Sequence, residues 1–152
     1  MVKKETPGGR ERYEHIRIEM EYAVPLIRHL QKELGVDAVN KALKSWTRGK
    51  TELAESQEAS RGELGETKVV FQAHADFGLD IEVIEDTDDK YGVNVTRCRF
   101  MEMMEELDAR DLGPNLLCNH DFSGALEEGL KLDRTQTIMR GYDHCNFRYT
   151  RR

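Results

Sequence analysis

No apolar run in the 152-residue sequence approaches the ~18 residues needed to cross a bilayer. The opening Met-Val-Lys-Lys-Glu-Thr-Pro-Gly-Gly also lacks the hydrophobic segment of a secretory signal, so a cytoplasmic protein with no membrane partner is expected. Basic residues are in deficit, 23 against 29 acidic ones for a formal charge of −6, which argues against a phosphate-neutralising surface and a nucleic-acid partner. Cysteines number only three, an odd count that suits reduced thiols better than a secreted disulfide framework. Neither GxGxxG nor GxxxxGK[ST] occurs, which leaves nucleotide chemistry unsupported, and no internal repeat suggests a solenoid. What remains, 38% hydrophobic and 34% charged residues, fits one soluble domain with a modest core.

Residues 1–10 carry Pro7-Gly8-Gly9 and no periodicity, so a disordered tail is expected, followed by a single domain over 11–152. Tyr13, Ile16, Met20, Ala23, Ile27, Leu30 and Leu34 step by three and four, the stripe of a helix that Pro25 should bend and Gly35 should end. Val36, Val39, Leu43 and Trp46 repeat the spacing in a shorter helix that doubles back. Residues 47–68 are polar and predict a polar helix or an ordered linker. Leu79, Ile81 and Val83, then Tyr91, Val93 and Val95, alternate around the acidic turn 85–90 and predict a β-hairpin. Phe100, Met104 and Leu107 have helical spacing, and Pro114 can open another short helix. Leu130, Leu132 and Ile138, then Cys145, Phe147 and Tyr149, predict a closing hairpin. Clustered strands favour an α+β fold, with a helical hairpin packed on a four-stranded, mainly antiparallel sheet.

Chemistry-bearing residues concentrate late in the chain. On a helix, Cys118, Asp121, Phe122 and Ala125 would share one face, setting a thiol beside a carboxylate. Cys145 has the strand parity of Phe147 and Tyr149 and should point inward. Cys98 sits where a strand meets a helix, and the free N–H groups there can lower a thiol pKa. Unpaired cysteines are often only small apolar fillers, but three of them near His120, Asp121, Asp143 and His144 favour a site. Zinc is the one metal the thiols and imidazoles suggest, yet there is no CxxC and no HxxxH, so no metal or other cofactor is expected. Arg134 shares parity with Leu130 and Leu132, which would carry its guanidinium to the apolar side of the sheet, where it needs an anion. That anion is either Asp121 or Glu127, or a ligand carboxylate held in bidentate fashion. Arg97 repeats the situation at the end of the other hairpin, while His15, His29 and His74 read as ordinary surface or core-edge residues.

Four segments together resemble the 2-aminothiazoline-4-carboxylate hydrolase family: Val95-Thr96-Arg97-Cys98, Leu117-Cys118-Asn119-His120-Asp121-Phe122, Leu132-Asp133-Arg134-Thr135-Gln136-Thr137-Ile138, and Gly141 through Tyr149. The most specific parts are Cys-x-x-Asp, Arg-Thr-x-Thr and the Gly-x-x-x-Cys-x-Phe ending; Asn146 stands where the family pattern has Asp. The resemblance implies hydrolytic opening of an aminothiazoline ring to an N-carbamoyl cysteine by cleavage of the ring C–S bond. It further implies Cys118 or Cys145 as nucleophile, Asp121 holding the amidine, and His144 or His120 exchanging protons. Arg134 would bind the substrate carboxylate, with Arg97 and His120 as further substrate contacts. A small-molecule substrate is the implied partner. A second class, non-catalytic sensory domains of the vinyl-reductase-like ligand-binding type, combines a similar helix pair, paired strands and late cysteines. The stripe of the first helix would also serve a homo-oligomer.

Overall fold

The computed structural model describes residues 8–57 and 62–152. Its order is α1 (Gly9–Leu34), α2 (Val36–Ser56), α3 (Leu64–Asp76), β1 (Leu79–Asp86), β2 (Lys90–Cys98), α4 (Arg99–Glu106), α5 (His120–Glu127), β3 (Leu130–Asp133) and β4 (Cys145–Arg151). Single turns of 3₁₀ helix at Arg110–Leu112 and Ile138–Arg140 and a π-helical turn at Pro114–Cys118 complete it. The four strands form one antiparallel sheet in the order β1-β2-β4-β3, so the fold is α+β. Among the described residues no helix is long and apolar enough to cross a membrane.

Alternation decides which face of the sheet is dry. Tyr91, Val93 and Val95 on β2 pair with Tyr149, Phe147 and Cys145 on β4, and all six are buried on one side. Leu132 on β3 extends this surface by pairing with Tyr149. Phe71 of α3 covers it, its ring edge-on to Tyr91, Phe147 and Tyr149 at 5.1–6.0 Å between centroids. A second core, between α1 and the α4 region, buries Met20, Val24, Ile27, Met103, Met104 and Leu112.

Several expectations shift by an element. α1 begins at Gly9, inside the span expected as a tail, and the rest of that tail, residues 1–7, lies outside the described residues. The helix runs through Pro25, which lies on its exposed face. The buried line of α1 is Met20, Val24, Ile27 and Gln31, so Leu30 and Leu34 fall outside the core and are 36% and 65% exposed. The stripe drifts because 3.6-residue periodicity carries Gln31 inward, where its amide donates to Asn40 Oδ1 at 2.8 Å. Gly35, at φ +92°, makes the reversal into α2 that a side chain would oppose. The polar stretch 47–68 resolves into the end of α2, the start of α3 and residues 58–61, which lie outside the described residues. β3 stops at Asp133, and Ile138 belongs to a 3₁₀ turn rather than to a strand.

That interruption is built by Asn146. Its Oδ1 accepts from the backbone N–H groups of Thr135 and Gln136 at 3.0 and 2.8 Å, and its Nδ2 donates to Thr135 Oγ1 at 2.8 Å. Two backbone donors that a strand ladder would use are thereby satisfied by a side chain, and the segment after Arg134 leaves the sheet.

Candidate functional site, a cavity of three thiols and a buried ion pair

Between the dry face of the sheet and the helices lies a cavity of about 550 Å³, a size usual for small-molecule sites. β4 supplies Cys145, β2 supplies Val95 and, at its end, Cys98, the start of α4 supplies Phe100, and the π turn and α5 supply Cys118 and Asp121. Arg134 and Thr137 come from the segment after β3, and α1 and α3 close the other side with Arg12, His15, Ile16, Phe71 and His74.

Arg134 is the most constrained group. Its side chain is 2% exposed, Nη1 donates to Asp121 Oδ2 at 2.5 Å, and Nη2 donates to the Cys118 carbonyl at 2.8 Å. The guanidinium lies 4.9 Å from the Phe122 ring centre and 5.0 Å from that of Phe147, between two π faces. Although β3 ends at Asp133, its side-chain alternation continues for one more residue, which sends Arg134 inward as its parity predicts. Of the anions considered for it, the internal carboxylate is Asp121; Glu127 faces a separate surface cleft with Lys50 and His120. Asp121 keeps 42% side-chain exposure while lining the cavity. Burial raises its carboxyl above the ordinary aspartate range, against the opposing pull of Arg134. Among the described residues Oδ1 has no hydrogen bond, so the pair presents one free carboxylate oxygen.

All three cysteines are free and line this one cavity. Burial is the first cause of each shift: Cys98 is pushed up to about 11, Cys118 to about 12, and Cys145 is also raised. The expected lowering at Cys98 is overturned. The backbone N–H groups of Phe100 and Met101 do favour its thiolate, but desolvation outweighs them. Cys145 Sγ accepts the Ile138 N–H at 3.2 Å. Cys118 feels Asp121, Cys98 and Cys145, and Cys98 feels Cys145 and Asp121, as near neighbours do.

The remaining candidates lie elsewhere. Arg97 forms an exposed bidentate pair with Glu102 at 2.7 and 3.2 Å. His120 packs edge-on against Trp46 at 4.9 Å and faces the surface cleft. His144 pairs with the neighbouring Asp143 at 2.5 Å, outside the cavity lining. The cavity's own imidazoles are His15 and His74, whose sequence contexts are those of ordinary surface or core-edge residues. His74 carries a buried Nδ1 without a hydrogen-bond partner, and burial lowers its pKa to about 4, with Arg12 acting in the same direction. Its only sequence signal was the helical interval Phe71-x-x-His74, which puts it on the turn next to a core aromatic. No group of three or more His, Cys, Asp or Glu is placed to hold a metal among the described residues.

The α+β fold thus holds a mainly apolar cavity that ends on a carboxylate–guanidinium pair and three thiols. The chain belongs to the L-2-amino-thiazoline-4-carboxylic acid hydrolase family, whose model matches residues 15–149 and so includes every one of these elements except the first turns of α1 and the end of β4. No curated protein matches the chain.

Proposed function

We propose that the protein is a hydrolase that opens the ring of 2-amino-thiazoline-4-carboxylate or a related small cyclic amidine acid. The observation that carries this reading is the single cavity that gathers Cys98, Cys118, Cys145 and the Asp121–Arg134 pair. The reacting ring carbon is amidine-like, and a carboxylate held by Arg134 with one oxygen free suits either the amidinium or the proton of an attacking water. Water adds across the ring C=N bond, one of its protons passing by way of Asp121 to the ring nitrogen; the added hydroxyl then becomes the carbonyl as the ring C–S bond breaks, and its proton goes to the leaving sulfur. The product is an N-carbamoyl cysteine with a new thiol.

Thiols held at about 11 and 12 are thiolate in roughly one molecule in ten thousand or fewer at pH 7, so water is favoured over Cys118 as the attacking group. The Ile138 N–H favours the Cys145 thiolate, but burial outweighs it and keeps that thiol raised as well. Arg134, enclosed by Asp121, Cys118 and two rings, acts as a positioning residue for the carboxylate rather than as a clamp on the substrate acid. The same protonated thiols also suit a second reading, a receptor that binds the acid without turnover.

Thiol release from the aminothiazoline acid separates the two. Wild type should generate one thiol per ring opened, Asp121→Asn should fall by about 10²-fold or more, and Cys118→Ser and Cys145→Ser should each keep most of the rate. Loss of the rate in either folded serine variant would assign that cysteine as nucleophile. Binding without thiol release in wild type would remove the hydrolase reading.

A further inference from the structure

The cavity has a second polar pole that the hydrolytic reading leaves unused. Arg12, in the first turns of α1, lines it half-buried, and among the described residues its guanidinium has no hydrogen bond or ion pair. A partly desolvated guanidinium normally finds an anion. The exposed Glu128 is near enough to feel its charge, but the two form no ion pair. Behind Arg12 stands His74, with its buried and unpartnered Nδ1, its ring edge-on to Phe100 at 5.5 Å. A buried donor left unmade is costly unless a ligand completes it. The electrostatics divide accordingly: Arg12 acts on His74, whereas the thiols of Cys118 and Cys145 feel Asp121 and Arg134.

Close packing fixes this pole in place. A Cβ at Gly9 would stand 2.1 Å from the Ala73 carbonyl oxygen and 2.5 Å from that of Phe77, so glycine alone lets the start of α1 meet the end of α3. That contact brings Arg12 and His74 to the same cavity wall.

We propose that Arg12 and His74 form the anion anchor of the cavity, so that its ligand is an organic acid lying with its carboxylate at Arg12 and its polar head toward Asp121. This deepens the hydrolase reading and rests on it for the identity of the head group alone. Arg12 meets the carboxylate with its planar fork, and His74, neutral and carrying its proton on Nδ1, donates to the same group. Ile16, Phe71 and Phe100 flank the body of the acid between the two poles. The substrate carboxylate is thus assigned to Arg12, and Arg134 is left to hold Asp121.

Calorimetric titration of the full chain with two acid–amide pairs tests the anchor: the aminothiazoline acid with its carboxamide, and phenylacetate with phenylacetamide. Wild type should bind at least one of the acids about tenfold or more tighter than its amide. Arg12→Gln should bring that acid down to the level of its amide while leaving the amide unchanged, and Arg12→Lys should restore part of the preference. His74→Phe should weaken the acid by a smaller factor. An acid preference that survives in Arg12→Gln, or wild type that binds neither acid, would overturn the anchor. Acids that bind through Arg12 while the thiazoline ring stays closed would leave the anchor standing and remove the hydrolase reading.

Discussion

At the scale of single residues, a charge is kept inside by an ion pair and two aromatic faces. Arg134 cannot shed its proton, and its side chain is 2% exposed, so its burial depends on Asp121 and on the two aromatic faces beside it. Taking away one member of such a pair is worse than taking away both, because the survivor is left charged and dry. Asp121→Asn should therefore lower unfolding free energy by about 3 kcal/mol, and Arg134→Met added to it should recover part of the loss. Urea denaturation of the two single variants and the double variant measures this. A double variant whose loss is the sum of the two single losses would show that the two side chains do not depend on each other. The thiols follow the opposite logic: nothing cationic faces them closely enough to offset burial, so they stay protonated and largely inert near neutral pH.

At the scale of elements, the parts legible in the sequence are those whose pattern and packing agree. The hairpin of β1 and β2 was readable because Tyr91, Val93 and Val95 alternate and lie against an equally regular β4. Arg134 was readable as an inward cation from parity alone, and Asp121 was among the partners considered for it. α3 is not legible because its larger apolar residues cluster at Val69, Val70 and Phe71 instead of recurring at helical spacing, so its role as the cover of the sheet lies in tertiary contacts. The placement of His15 and His74 is not legible for the same reason: they line the cavity through the packing of α1 on α3 at Gly9. Cys98 illustrates a competition of terms. The local motif pointed to a lowered thiol pKa, and burial, which no local pattern reports, reversed it. Gly9→Ala tests the crossing directly. Its methyl would meet two backbone carbonyl oxygens, so the variant should lose about 1–3 kcal/mol and weaken acid binding together. A variant as stable as wild type with unchanged binding would show that α1 and α3 are not held by that contact.

At the scale of the whole molecule, sheet, helices and irregular segments converge on one half-open cavity. The strand register sets Cys145 opposite Val95, the end of β2 brings Cys98, and the turn before α5 brings Cys118, so sulfurs distant in sequence share a wall. Alkylation by iodoacetamide, read cysteine by cysteine by mass spectrometry with and without saturating aminothiazoline acid, tests this most directly. Labelling should be slow at pH 7, and at Cys98 and Cys118 it should rise about tenfold per pH unit toward pH 10, as expected of thiols whose anions form only well above neutrality. The acid at pH 9 should protect Cys98, Cys118 and Cys145 in parallel, with the same half-saturation, if they share one wall. Labelling of any one of them at the rate of an exposed thiol at pH 7, or protection of one while the others react unchanged, would contradict this arrangement.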